Sequence, residues 1–90
     1  MIIRWTRRAE QQLARVQDLT RLQWPGSVED VTRTIHATVE RMAVFPLSGR
    51  NGAVDGTREA VLTQYPFMVV YAIDGEALIV LGVFHQAQSW

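Results

Sequence analysis

Two arginines and one histidine carry most of the chemistry that this chain could perform. Arg50 ends the segment 46–50, Pro-Leu-Ser-Gly-Arg, and Arg58 lies in the segment 56–59, Gly-Thr-Arg-Glu. A guanidinium group is permanently charged, and its planar fork matches carboxylates and phosphates alike. His85 lies near the end of the chain, where its imidazole could take a proton near neutral pH. If these side chains met, a general base and two cations would be available for RNA cleavage.

The same residues have a second interpretation, in which none of them is catalytic. The arginines could anchor a loop or bind the carboxylates of a protein partner. A histidine at the end of a strand could simply be bonded to a nearby backbone carbonyl. RNA cleavage would also need a group that protonates the leaving oxygen, and the residues after His85 are Gln-Ala-Gln-Ser-Trp. The final residue, Trp90, has no predicted role in a core and could stack on a base or anchor in a partner's groove.

Other catalytic chemistries find little support. There is no cysteine, so thiol nucleophiles, disulfides and thiolate metal sites are excluded. The serines have no nucleophile-elbow context. His36 and His85 are far apart in sequence and have no carboxylate pattern at metal-ligand spacing. No glycine-rich loop leads from a strand into a helix, as a phosphate loop would. We therefore expect neither a metal nor another cofactor.

The composition predicts one globular domain over residues 1–90, with 48% apolar and 20% charged residues. Nine arginines are matched by nine acidic residues, and lysine is absent. Nucleic-acid binding usually requires a basic excess, because released counterions supply much of the affinity, so the balance disfavours that class. The chain opens without a signal peptide and has no apolar run long enough to span a bilayer. We expect a cytoplasmic protein without membrane contacts.

The N-terminal segment predicts a strand followed by a helix. The apolar run at residues 2–5 ends at Thr6, which can cap a helix over about 7–23. Apolar residues recur at helical spacing along that range, which indicates an amphipathic helix. Arg7 and Arg8 lie in its first turn, where the helix dipole disfavours cations. That mild conflict favours an external partner for the two arginines, although solvation explains it equally well.

A second helix follows after a short break at residues 24–26, Trp-Pro-Gly. Ser27 and Asp30 resemble a capping box in which Asp replaces the usual Glu. Apolar residues then follow at spacings of three and four until Phe45, which precedes a proline. The two helices, joined by a tight turn, predict a helical hairpin with one apolar face each.

The C-terminal half has the alternation of strands. Residues 48–56 predict a loop, and the segments that follow predict strands over 57–64, 67–73 and 77–84. Asp74-Gly75 is a common two-residue hairpin turn. The predicted fold is therefore α+β, in the order β-α-α-β-β-β, with the helical hairpin packed on one face of a mainly antiparallel four-stranded sheet.

The predicted register leaves the relation between Arg58 and His85 open. If the corners at 64–67 and 73–76 set the register, one face carries Arg58, Tyr71, Leu78 and Val80. The other face then carries Val61, Val70, Ile79 and His85. A single β-bulge, for example at Gly82, would move His85 to the face of Arg58.

The order of these elements and several short motifs resemble the RelE/ParE superfamily of bacterial type II toxins, which includes plasmid-stabilisation toxins. The motifs are Trp5-Thr6 with Ala9 and Leu13, Pro46-x-x-Gly49-Arg50, Gly56-Thr57-Arg58-Glu59, Val69-Val70-Tyr71 and Gly82-Val83-Phe84-His85. They span nearly the whole chain. The resemblance implies a growth-inhibiting toxin that is neutralised by a cognate antitoxin, whose C-terminal segment wraps around the toxin.

The superfamily has two functional branches, and the sequence lies nearer to ParE. RelE-like members cut messenger RNA on the ribosome, whereas ParE-like members act on DNA gyrase. The ribonuclease branch carries an arginine in an Arg-x-Val-Tyr pattern, and Met68 stands at that position here. Gln86 stands where a terminal His-Tyr pair would have its tyrosine. His85 does not discriminate, because ParE-like sequences often have a histidine there too.

The resemblance therefore implies one leading function and two alternatives. The lead is a ParE-like toxin that acts on DNA gyrase without a nuclease site. The first alternative is a ribosome-dependent mRNA interferase that uses His85, Arg58 and Arg50, and the second is a non-toxic interaction module. The candidate contacts for the antitoxin or target are Arg7, Arg8, Arg50, Arg58 and Trp90.

Overall fold

A helical hairpin covers one face of a five-stranded sheet in the computed structural model, which describes residues 1–87. The elements are β1 (Ile2–Trp5), α1 (Arg7–Gln23), α2 (Val28–Val44), β2 (Arg50–Asn51), β3 (Thr57–Val61), β4 (Phe67–Asp74) and β5 (Ala77–His85). The strand order is β1-β5-β4-β3-β2, with β1 parallel to β5 and the other neighbours antiparallel. The predicted α+β class and the predicted order of the long elements are confirmed.

The two helices begin in different ways. Thr6 caps α1 as predicted, because its Oγ1 accepts a hydrogen bond of 3.0 Å from the backbone N–H of Ala9. The capping box predicted for α2 is wrong, since the Ser27 side chain makes no capping hydrogen bond. Ser27 closes a short 3₁₀ turn with φ −108° and ψ 0°, which is not the extended geometry of a capping residue. Asp30 instead binds the Tyr65 hydroxyl and the Arg33 guanidinium.

The main hydrophobic core lies between the helices and the sheet. From the helices it takes Ala9, Val16, Val31, Ile35, Val39 and Met42, and from the strands Ala60, Phe67, Val69, Tyr71, Leu78, Val80 and Val83. The helical members recur at spacings of three, four and seven, and the strand members alternate, so each element contributes one face. No helix within residues 1–87 is long and apolar enough to cross a membrane.

The sheet has one strand more than predicted. Within the segment 48–56, which was predicted as a loop throughout, β2 pairs Arg50 with Glu59 and Asn51 with Arg58. Its two residues are exposed and too few to produce a periodic signal, so the sequence pattern could not reveal it. The next predicted strand, over 57–64, ends early, at Val61.

The hairpin between β4 and β5 is shifted by one residue from the prediction. Asp74 still pairs with Ala77, so the two turn residues are Gly75 and Glu76 rather than Asp74 and Gly75. Gly75 has a φ of 58°, a left-handed conformation that glycine adopts without strain. The glycine thus takes the first of the two turn positions, where the backbone has a positive φ.

A β-bulge determines which face of the sheet the last residues of β5 occupy. Tyr71 pairs with Val80 but Val70 pairs with Gly82, so that Leu81 is the extra residue. Beyond the bulge, His85 pairs with Phe67, whose side chain belongs to the main core. The unbulged register, which put His85 on the face opposite Arg58, is therefore wrong, and the bulged alternative is confirmed.

The part of β5 that has no pairing with β1 is covered by α1. The strand β1 reaches only as far as Val80 of β5. Further along, the Gln12 side chain accepts a hydrogen bond of 2.9 Å from the backbone N–H of Val83. The helix thus supplies a side-chain partner where no strand within residues 1–87 lies beside β5, which protects this edge of the sheet.

Candidate functional site: the arginine edge

The segment 46–50 and residues Arg58 and Glu59 of β3 form one edge of the sheet, which we call the arginine edge. After α2 the chain turns sharply, because the Ser48 N–H and Oγ both donate to the Phe45 carbonyl oxygen, at 3.0 and 2.7 Å. This turn brings Arg50 alongside β3 as the first residue of β2. Arg50 and Arg58 therefore lie on the two neighbouring strands of this edge.

Tyr71 holds this segment against the sheet. Its hydroxyl donates to the Pro46 carbonyl oxygen at 2.7 Å and accepts from the Gly49 N–H at 3.1 Å. The phenol is buried, and burial raises its pKa above the usual value. Gly49 fits closely, since a Cβ there would lie 2.5 Å from the Tyr71 hydroxyl oxygen and 3.0 Å from the Glu59 carbonyl oxygen. Only glycine permits this approach.

Arg58 reinforces the same attachment. Its Nη1 donates to the carbonyl oxygens of Leu47 and Gly49, at 3.2 and 2.9 Å. Arg58 pairs with Tyr71 across the strands, so both side chains lie on the face that the helices cover. Two side chains of neighbouring strands therefore fix one loop, and Arg58 acts as its anchor.

Arg50 lies on the opposite face of the sheet. Its Nε donates to Glu59 Oε1 at 2.7 Å, and its Nη2 lies 3.9 Å from the sulfur of Met68. The Glu59 side chain is 9% exposed, whereas that of Arg50 is 60% exposed. A half-exposed guanidinium keeps donors directed at solvent, so a carboxylate from outside could bind it.

The three residues considered for RNA cleavage do not converge. Arg58 and His85 share a face, but they pair with Tyr71 and Phe67, which are separated by about 13 Å along β4. Arg50 is on the other face. The His85 ring packs edge-on against Phe67, with 5.8 Å between centroids, and its Nδ1 accepts from the Ala87 N–H at 3.1 Å.

The remaining candidate contacts lie elsewhere. Arg7 is exposed in the first turn of α1. The guanidinium carbon of Arg8 lies 5.5 Å from the centroid of the Phe84 ring, which is a cation–π arrangement. This contact is at β5, three strands away from β2. Trp90 lies outside the described residues. The arginines thus occupy two separate regions rather than one.

A second apolar cluster lies on the open face of the sheet, between these two regions. Met68, Val70 and Phe84 are buried there, with Val61 and Leu81 packed against them. The sequence indicated this feature through strands that are apolar on both faces, but it gave no sign of the pairing of Arg50 with Glu59. That pairing depends on β2, which has no periodic signal.

A groove of about 250 Å³ runs beside the arginine edge. It is lined by Arg41, Met42, Ser48, Gly49, Arg50, Glu59, Ala60 and Val61. Within residues 1–87, no group of His, Asp and Glu side chains is arranged to hold a metal ion. The available chemistry is therefore that of guanidinium groups beside an apolar surface, which suits the binding of carboxylates.

The class of fold is defined by a solved structure. The structure titled "Chromosomal ParDE TA system from P. aeruginosa" contains a chain that superposes with a TM-score of 0.84, covering 94% of this chain and 95% of that chain. Sequence identity is 23%, so this likeness concerns the fold. This chain therefore shares its α+β fold with a chain of that structure.

Sequence comparison then defines the family. The model of the "ParE toxin of type II toxin-antitoxin system, parDE" matches residues 3–90. A Sinorhizobium fredii (strain NBRC 101917 / NGR234) protein named "Putative toxin Y4kP" is 35% identical over 88 residues, which is 98% of this chain and 91% of the relative. The chain belongs to the ParE family of type II toxins.

Proposed function

We propose that this ParE-family toxin acts on DNA gyrase, is neutralised by a cognate antitoxin and does not cut RNA. The observation that supports this most is the direction of Arg50, which is bound to Glu59 above Met68 on the face opposite Arg58 and His85. The arginine that could have served a nuclease is engaged with a carboxylate. The toxin would act as a single domain in the cytoplasm.

Geometry and charge argue in the same direction. General acid–base catalysis needs the base within hydrogen-bond reach of the reacting group, and the cations close to the developing charge. A separation of about 13 Å between Arg58 and His85 along the sheet is several times that reach. Nine basic and nine acidic residues also leave no overall excess of positive charge for RNA phosphates.

The surface has the properties that an antitoxin would need. The open face of the sheet has a groove of about 310 Å³ lined by Arg8 and by apolar side chains such as Val54 and Leu81. It lies beside the buried cluster of Met68, Val70 and Phe84, and Arg50 lies at the other side of that cluster. An antitoxin segment with apolar and acidic residues would match both parts. We propose Arg7, Arg8, Arg50, Arg58 and Trp90 as the contacts for the antitoxin or target.

One observation favours the ribonuclease alternative. His85 is exposed at the end of β5 and lies on the same face as Arg58. Under this alternative, His85→Ala would abolish ribosome-dependent cleavage while leaving the fold intact.

Induction of the toxin with and without the neighbouring gene tests the proposal. Growth, transcript integrity and plasmid supercoiling are followed in the same cultures. We expect growth arrest and reduced supercoiling with intact transcripts, and recovery when the neighbouring gene is expressed as well. Cleaved transcripts with normal supercoiling would replace the lead with the ribonuclease, and unaffected growth would support the non-toxic interaction module.

A further inference from the structure

The strand β3 extends beyond its neighbour at the sheet edge. β2 pairs only with Arg58 and Glu59. Within residues 1–87, no strand lies on the outer side of Ala60 and Val61, which complete β3. This part of the edge therefore resembles a place where a further strand could add.

The hydrogen-bond alternation shows which backbone groups face outward. Leu62 donates its N–H to the Phe67 carbonyl oxygen at 3.0 Å, so Leu62 and, two residues earlier, Ala60 direct their backbone groups at β4. On the other side, Gly52 donates to the Thr57 carbonyl oxygen at 2.9 Å. Val61 has the same parity as Thr57, so its N–H and C=O point to the open edge.

This edge stays open because the chain before β2 is bonded to the end of α2 instead of running alongside β3. Ser48 would continue the line of β2 opposite Val61, but its N–H and Oγ both bond to the Phe45 carbonyl oxygen. A groove results between the end of α2 and the edge of β3. Its walls include Arg41 and Met42 on the helix side and Ala60 and Val61 on the strand side.

The groove has a cation at each rim. Arg41 is exposed on α2 and has no ion-pair partner in the part of the chain that the structure describes. Arg50 stands on the other rim with 60% of its side chain exposed. Glu59 is the acidic residue of the lining, and it is already bound to Arg50. The charge at the groove thus favours an anionic occupant.

We propose that an extended acidic segment of the antitoxin adds to β3 at Val61, with carboxylates bound by Arg41 and Arg50. The segment would continue the line of β2 and run antiparallel to β3, so that main-chain hydrogen bonds supply affinity and the arginines supply selectivity. This inference rests on the proposed function, because it requires that an antitoxin exists.

Amide hydrogen exchange tests the added strand on the wild-type protein. The Val61 amide is expected to exchange at least about 100-fold more slowly in the purified toxin–antitoxin complex than in the free toxin, because it gains a partner. The neighbouring Ala60 amide, already directed at β4, is the internal control and changes much less. Equal exchange at Val61 in both states would overturn the proposal.

Substitutions test the two parts of the site separately. Val61→Pro removes the outward N–H without removing a bond to β4, and it should weaken antitoxin affinity about tenfold or more. Val61→Thr keeps the N–H and the branched side chain, and should bind as the wild type does. Arg41→Glu should weaken binding by a similar factor. The control is Arg15→Glu, which should leave binding unchanged, because Arg15 is an exposed arginine of α1 beside another groove.

The two proposals fail in different ways. If the neighbouring protein neither binds nor rescues the wild-type toxin, the antitoxin proposal fails and no edge effect can appear. If it binds and rescues the wild type, and binds Val61→Pro and Arg41→Glu equally well, the antitoxin proposal stands and the added strand is excluded.

Discussion

The arginine edge and the end of β5 differ in how their charged side chains are held. At the arginine edge, Tyr71 and Arg58 make four hydrogen bonds to the backbone of the segment 46–50, and Arg50 is paired with Glu59. At the end of β5, His85 has a ring contact with Phe67 and a hydrogen bond to the local backbone of Ala87. In the first region the charged groups themselves fix a loop, whereas the chain after His85 is fixed by Gln86, whose backbone N–H and Nε2 donate to carbonyl oxygens of residues 62–67.

This difference indicates where function depends on the fold. Side chains that converge from several elements present a fixed surface, because each is positioned by the others. His85 lines a groove with Gln12 and Arg15 of α1, away from Arg50 and Arg58, the two cations considered for catalysis. We therefore propose the arginine edge as the working surface of the toxin, with Arg50 as its exposed contact.

The largest effect on stability is expected for Gly49→Ala. The new Cβ would lie 2.5 Å from the Tyr71 hydroxyl oxygen and 2.9 Å from its Cε1, so that the segment must move off the sheet. We expect a loss of about 2–3 kcal/mol in urea unfolding. Gly26→Ala is the matched control, because no atom lies within 4 Å of a Cβ there. Equal stability of the two variants would contradict the close fit.

A smaller loss is expected for Tyr71→Phe. This substitution keeps the ring in the core but leaves the Gly49 N–H and the Pro46 carbonyl oxygen without their partner. The free energy of unfolding should fall by about 1–2 kcal/mol in urea titrations. The antitoxin affinity should fall as well, because Gly49 adjoins Arg50. Wild-type stability in Tyr71→Phe would show that Arg58 alone holds the segment.

The same tyrosine predicts a pH dependence. Because burial raises the pKa of Tyr71 in the folded state, its contribution is complete below the unfolded value of about 10 and is lost as pH rises through the folded pKa. Stability should therefore decline above about pH 10. The decline should be weaker in Tyr71→Phe. The pH dependence that remains in this variant includes the contribution of Tyr65, whose pKa is raised by its hydrogen bond to Asp30. Unfolding curves between neutral and alkaline pH measure both slopes.

Arg50→Ala should affect binding more than stability. The pair with Glu59 is screened because the arginine is half exposed, so a loss of about 1 kcal/mol or less is expected in unfolding. Antitoxin affinity, measured by calorimetry, should fall about tenfold or more, because a charge-assisted contact is removed. Arg21→Ala, which removes an exposed pair with Asp18 on α1, is the control and should leave affinity unchanged. Equal affinities would remove Arg50 from the interface.

The elements with a strong local signal were predictable from the sequence. The ranges of α1 and α2 follow from the spacing of residues such as Val31, Ile35 and Val39, and the cap at Thr6 follows from its side chain. The number of strands and the face of His85 were not predictable in the same way. They depend on a two-residue strand and a bulge, which are decided by pairing partners far along the chain.

The site shows the same division. The sequence identified Arg50 and Arg58 as candidate functional residues, and the structure places them on neighbouring strands at one edge of the sheet. That the two side chains lie on opposite faces follows from the alternation of the antiparallel pairs, and so from the register of β2 against β3. Tyr71 is buried in β4. Its bonds to Gly49 and Pro46 required the three-dimensional path of the loop.

His85→Ala in a supercoiling assay tests the central claim most directly. Purified gyrase is titrated with wild-type toxin and with the variant, and total transcripts are compared after induction of each. His85 is an exposed residue, so stability should stay within about 0.5 kcal/mol. We predict equal inhibition of supercoiling by both proteins and intact transcripts. Transcript cleavage by the wild type that disappears in His85→Ala, with supercoiling unaffected at toxin excess, would contradict the account.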